Sequence, residues 1–176
     1  MCCILSSMSN YHHHSKKEFS DLITRIKESD LNSSNDITSV VIPDSVTIIE
    51  EGAFRNCAKL ITVVIPDSVT SIEEGAFRNC AKLITVIIPD SVAIIGDNAF
   101  YNCTSLSSLV IGNSVTSIGK SAFYGCSGLK SIDIPDSVTS IGKSAFVGCS
   151  GLKSIAIPYM VTTSIVDLMV EAKTVV

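Results

Sequence analysis

Side chains able to ligate a metal, bridge as disulfides or act as nucleophiles fall in two places along this chain of 176 residues. Cys57, Cys80, Cys103, Cys126 and Cys149 recur with a period of 23, while Cys2 and Cys3 precede His12, His13 and His14 near the start. Regular spacing sets equivalent side chains of successive units side by side and parallel, whereas a disulfide needs converging Cβ vectors and a χ3 of about 90°. An odd number also leaves one thiol over. The five are therefore expected as free, buried thiols. The Cys2–His14 cluster has metal-ligating residue types but lies in a polar stretch without the supporting partners that fix ligands, so residues 1–14 are read as a solvated tail. Acylation of Cys2 or Cys3 has neither a myristoylation glycine nor a polybasic stretch behind it. The repeat body holds no histidine, and repeated columns do not supply the unique convergence of nucleophile, base and oxyanion donors that catalysis needs. The expectation is a protein that is not an enzyme, with no catalytic residue, no metal site and no cofactor.

The elements carrying those cysteines are copies of one unit. Ile42 to Val64 and Ile65 to Ile87 agree at 21 of 23 positions, and Ile111 to Asp133 agrees with Ile134 to Ala156 at 19 of 23. A middle unit, Ile88 to Val110, keeps the frame, and a half unit, Ile37 to Val41, precedes the first full one. A fixed period of this length is the signature of a solenoid, because one unit cannot bury its apolar face alone and stacked units can. Besides the cysteines, the frame has a phenylalanine column (Phe54 to Phe146), an alanine column (Ala53 to Ala145) and a leucine column (Leu60 to Leu152). A strand is predicted after each leucine, as at Ile132 and Ile134, which alternate with Ser131 and Asp133. Pro-Asp pairs such as Pro43-Asp44, replaced by Gly112-Asn113 in the fourth unit, end the strand in a turn. The chain then returns through residues such as Val138 and Ile141 to a predicted helical turn, as over Lys143–Cys149. The position before each cysteine is Asn56, Asn79, Asn102, Gly125 or Gly148, the residue types that adopt a left-handed backbone most readily.

The run Leu-x-x-Ile-x-Ile-Pro-x-x-Val-x-x-Ile-Gly-x-x-Ala-Phe-x-x-Cys, from Leu129 to Cys149, resembles the BspA-like class of leucine-rich repeat. The resemblance implies a curved solenoid with a parallel sheet on one face, used for protein binding and often found in long arrays on microbial surfaces. Glu50 and Glu73 stand where the pattern has Gly96, Gly119 and Gly142. The expected fold is thus α/β: a leucine-rich-repeat solenoid of about five 23-residue coils over residues 37–158, with a parallel β-sheet on one face and short helical turns on the other. Ser15-Lys16-Lys17-Glu18 reads as a capping box, and Phe19, Leu22, Ile23 and Ile26 have helical spacing. Residues 15–36 are accordingly read as an N-terminal capping helix, to about Asp30, with a linker. After Ile157-Pro158 the register slips by one residue, through Val161 and Ile165, and residues 159–176 read as a degenerate C-terminal cap.

Composition narrows the function classes. Seventeen acids against thirteen bases, a net charge of -4, offer no basic footprint for nucleic acid. No window is apolar enough to span a bilayer, and the first residues lack a signal-peptide pattern, so the chain is expected in the cytoplasm, with secretion or the cell surface as the alternative. The informative surface is the outward strand face. There a hydroxyl column, Thr62, Thr85, Ser108 and Ser131, lies beside Val64, Ile87, Val110 and Asp133, a row that is mostly apolar where water is expected. Strand propensity alone would place Val and Ile there. A contiguous apolar row rimmed by hydroxyls also marks a protein or peptide partner's binding strip, and these eight residues are the candidate site. Residues 37–103 carry eight acids and four bases, whereas 104–158 carry two acids and four lysines. The leading expectation is a non-catalytic protein-interaction module. The alternative is a structural or surface-adhesion element that self-associates through its rod ends or the apolar column, and the acidic edge Glu50, Glu51, Glu73 and Glu74 is a competing contact surface.

Overall fold

The computed structural model describes the backbone at residues 25–26 and the whole of residues 37–161. Its frame is two parallel sheets in which each strand pairs with its equivalent one period further along the chain. The long-strand sheet holds β2 (Ser39–Val41), β4 (Thr62–Val64), β6 (Thr85–Ile87) and β8 (Ser108–Val110), in that order. The short-strand sheet holds six two-residue strands: β1 (Arg25–Ile26), β3 (Ile48–Ile49), β5 (Ser71–Ile72), β7 (Ile94–Ile95), β9 (Ser117–Ile118) and β10 (Ser140–Ile141). Register is strict: Ser39 pairs with Thr62, Thr85 with Ser108, and Ile49 with Ile72. Each coil therefore stacks on the last at the sheet spacing of about 4.8 Å.

Four expectations need correction. First, the described residues contain no helix, and Arg25–Ile26, inside the expected capping helix, is a strand paired with Ile48–Ile49. The remainder of that helix, the histidine tail and residues 162–176 lie outside the described residues. Ile26 precedes Ile49 by one full period, so it continues the return column, whose Val46-to-Ile49 spacing of three mimics a helical stripe. Second, the helical turns are chains of tight turns. Ala53, Arg55 and Cys57 donate their amides back to the Glu50, Gly52 and Phe54 carbonyls, but Gly52, Phe54 and Asn56 donate forward to Glu74, Ala76 and Arg78 of the next coil at 2.7 to 2.9 Å. With alternate amides drawn out between coils, the uniform i to i-4 pattern of an α-helix cannot form. Third, the return segment is itself a sheet, so parallel strands line two faces instead of one. Fourth, 131–133 is not a strand; Asp133 replaces the valine of β8 there, and aspartate is a poor strand former. The register itself runs on to Val161, whose amide bonds to the Pro158 carbonyl as Val46 does to Pro43, both at 3.0 Å.

Between the sheets and the turn segments lies the core, made of the repeated columns. The five phenylalanines of the column are fully buried, with neighbouring rings stacked at 4.9 to 5.5 Å between centroids and 4° to 6° between planes. Isolated aromatic pairs favour offset or edge-on contact, so it is the strand register that holds these rings in parallel. Left-handed φ recurs twice per coil. The column before each cysteine has it as expected, and so does a second column, Gly52, Gly75, Asn98, Ser121 and Ser144, with φ between 53° and 64°. Close approach explains the other glycines: a Cβ at Gly96 would lie 2.7 Å from the Glu73 carbonyl carbon, and one at Gly142 would overlap the Lys120 amide.

Candidate functional site

The outward face of the long-strand sheet is built by period-two alternation. In β4, Val63 turns into the core while Thr62 and Val64 face water, and β2, β6 and β8 repeat this exposed-buried-exposed pattern. Val41, Val64, Ile87 and Val110 are 51% to 60% exposed, in line along the rod. Beside them Thr62 Oγ1 donates to Ser39 Oγ at 3.1 Å, and Thr85 and Ser108 continue the hydroxyl column in register. All eight candidate residues, Thr62, Val64, Thr85, Ile87, Ser108, Val110, Ser131 and Asp133, are exposed, although the last two lie beyond the final strand of the sheet. Ile61 and Ile84 were not singled out from the sequence, yet they are also exposed and add a second apolar row. Their signal was position: each directly follows a core leucine and shares its column with Thr38, Ser107, Lys130 and Lys153.

The competing acidic edge is real but partly engaged. Glu51, Glu73 and Glu74 are exposed and Glu50 is half-buried, and Ser71 Oγ donates to Glu73 Oε1 at 2.7 Å. One coil later Asp97 Oδ1 accepts the Lys120 amide at 2.7 Å. On the turn side the Arg78 guanidinium lies 4.7 Å over the Tyr101 ring, which stacks on Tyr124 at 4.8 Å. Sequence columns concealed this group, because the position changes from arginine to tyrosine to valine along the rod.

The ladder cysteines are buried and form no disulfide. Each thiol from Cys80 onward donates to the carbonyl of the phenylalanine one coil back: Cys80 to Phe54, Cys103 to Phe77, Cys126 to Phe100 and Cys149 to Phe123, at 3.1 to 3.2 Å. Burial pushes these thiols well above their ordinary range, Cys149 up to about 12. They are protonated at neutral pH, and a protonated, enclosed sulfur is not a nucleophile. Among the described residues no group of three or more His, Cys, Asp or Glu could hold a metal ion, and no helix is long and apolar enough to cross a membrane.

A family description, the BspA type leucine rich repeat region, matches residues 70–168 in six copies, more than half of the chain. The chain belongs to the BspA-type leucine-rich repeat family. Solved structures agree with that assignment. A leucine-rich repeat protein of T. pallidum is 35% identical, with a TM-score of 0.67 over 69% of this chain and 59% of its own. A leucine-rich cell surface protein of Faecalibacterium prausnitzii is 34% identical, with a TM-score of 0.58 over 81% of this chain and 47% of its own. The pneumococcal vaccine antigen PcpA is 25% identical, with a TM-score of 0.61 over 70% of this chain and 31% of its own. This BspA-type chain thus spans less than two thirds of the length of each of these proteins. No curated protein matches it. The family points to a protein-interaction or adhesion module.

Proposed function

We propose that this chain is a non-catalytic protein-interaction module that takes its partner on the outward face of the long-strand sheet. The observation that carries this reading is the pair of adjoining exposed apolar rows, Val41 to Val110 and Ile61 with Ile84, on a sheet whose other face is sealed in the core. Strand propensity accounts for β-branched residues in β4 and β6 but gives no reason for an isoleucine just outside them, at Ile61 and Ile84. Contiguous apolar surface rimmed by hydroxyls favours association, because burying it releases ordered water at little polar cost. The likeness to a cell surface protein supports an adhesion setting over the cytoplasm.

Replacing Val64, Ile87 and Val110 together by Thr keeps branching at Cβ and strand propensity while making the row polar. The expected result is an unchanged melting temperature and at least tenfold weaker capture of the partners that the parent chain retains on an affinity column. Undiminished capture by a folded triple variant refutes the platform and directs attention to Glu51, Glu73 and Glu74.

A further inference from the structure

Across the two central coils of the platform the chemistry runs in one order: base, apolar, hydroxyl, apolar, acid. One coil reads Lys59, Ile61, Thr62, Val64, Asp67, and the next reads Lys82, Ile84, Thr85, Ile87, Asp90. All ten residues are exposed, the lysines in the turn that enters each strand and the aspartates in the turn that leaves it. Polarity is therefore symmetric about the hydroxyl column, while charge changes sign across it. Further along, where Gly128 replaces the entry lysine, Lys130 and Asp133 appear on opposite sides of Ser131. That explains the one residue, Asp133, that breaks the apolar row.

Resting on the platform reading above, we propose that the occupant of this face is a second copy of the chain, seated with a twofold axis that runs along the rod. Two sheets packed face to face can be related by an in-plane twofold across the rod or along it. An axis across the rod lays lysine edge over lysine edge and aspartate edge over aspartate edge. An axis along the rod keeps the two rods parallel, sets each coil on its own equivalent and places every lysine edge against an aspartate edge. Val64 then meets the second copy's Ile61, Ile87 meets its Ile84, and Asp133 meets its Lys130. Like charges directly opposed are costly and opposite charges fix register, so the pattern selects the parallel pair. Five coils at about 4.8 Å, and at most about 26 Å from entry lysine to exit aspartate, bound the face at roughly 600 Å² per copy. A total of roughly 1200 Å² is at the lower end for a specific interface, so the pair dissociates on dilution and, with its charges at the rim, in salt.

Sedimentation equilibrium over a concentration series tests this, the monomer mass being 18.7 kDa. The expected result is a reversible approach to twice that mass. Lys59→Glu with Lys82→Glu, and separately Asp67→Lys with Asp90→Lys, should each lower the dimer fraction at least tenfold. An equimolar mixture of the two variants should restore it, because an all-acidic face then meets an all-basic one. It is the loss in each variant alone that marks the parallel pairing, since an axis across the rod already opposes like edges and reversing one edge would cost it nothing. Asp90 Oδ1 also holds the Asn113 amide at 2.6 Å, so melting curves accompany every variant, and Asp67→Lys alone replaces the double change if that variant unfolds. Parent protein that stays monomeric throughout, single variants that dimerise like the parent, or a mixture that stays monomeric would each overturn the proposal. If the parent is monomeric while the Val64, Ile87 and Val110 substitutions still abolish capture of a different protein, self-pairing is wrong and the platform stands.

Discussion

At the scale of single residues, the ladder cysteines are hydrogen-bonding core residues. The Phe54 carbonyl accepts both the Cys57 amide, at 3.1 Å, and the Cys80 thiol, at 3.1 Å, so one oxygen ties its own coil and the next. Because burial raises the thiol of the folded state above its unfolded value near 9, the unfolded chain releases the proton first as pH rises. The unfolded state then binds fewer protons than the folded one, and stability falls with increasing pH. The contribution is complete below pH 9 and is lost progressively from 9 towards about 12 for Cys149. Calorimetric melting should accordingly be insensitive to these thiols at neutral pH and decline above pH 9, and Cys149→Ala should reduce the slope of that decline. An unchanged slope in the variant would contradict the burial of that thiol. The sequence disclosed this chemistry well, since a column of small apolar-compatible residues between Phe and Leu columns has nowhere to go but inward.

At the scale of elements, the turn segment is where sequence and structure part. Asn56, Asn79, Asn102, Gly125 and Gly148 advertised one left-handed position per coil. The second one was hidden because Ser121 and Ser144 adopt it at φ 53° and 60° without the residue type that signals it. The second sheet was hidden too, since strands of two residues are too short to show alternation. Ile26 fits a helical stripe as well as the strand it forms, because the Val46-to-Ile49 spacing of three serves a helix and a return segment equally. Two substitutions probe this geometry in opposite directions. Ser144→Gly should stabilise by about 0.5 to 1 kcal/mol, because glycine takes positive φ without the Cβ penalty, as Gly52 and Gly75 already do. Gly142→Ala should destabilise by about 2 kcal/mol or more, because its methyl would overlap the Lys120 backbone and force two coils apart. Denaturant titration of both proteins measures the two signs, and equal signs would mean that the turn segment is misplaced.

For the whole molecule, the period of 23 that was legible in the sequence is also its assembly rule. Val64 and Ile87 occupy the same place in adjacent coils, and so do Ile65 and Ile88. Deleting residues 65–87 joins Val64 to Ile88 in register and should leave a shorter solenoid that still melts cooperatively, at a lower temperature because one neighbour interface is gone. Deleting 65–76 removes half a coil, places core residues on the wrong face and should abolish the cooperative transition in circular dichroism. The proposed platform was less legible than the frame. Periodicity reports what is buried, whereas Lys59, Ile61 and Asp67 matter through their order across the sheet, perpendicular to the direction in which the repeat is read.

The hydrogen bonds that join one coil to the next, such as Phe54 to Ala76 and Thr70 to Thr47, lie along the rod axis. Tension applied to the two ends of the chain therefore loads them in series, and an outermost coil, held by a neighbour on one side only, yields first. A coil that occupies about 4.8 Å of rod releases about 75 Å of extended chain when it peels away. Held between two anchored surfaces, such a molecule works as an extensible tether: it absorbs a tug by lengthening one coil at a time while the coils still stacked keep their shape.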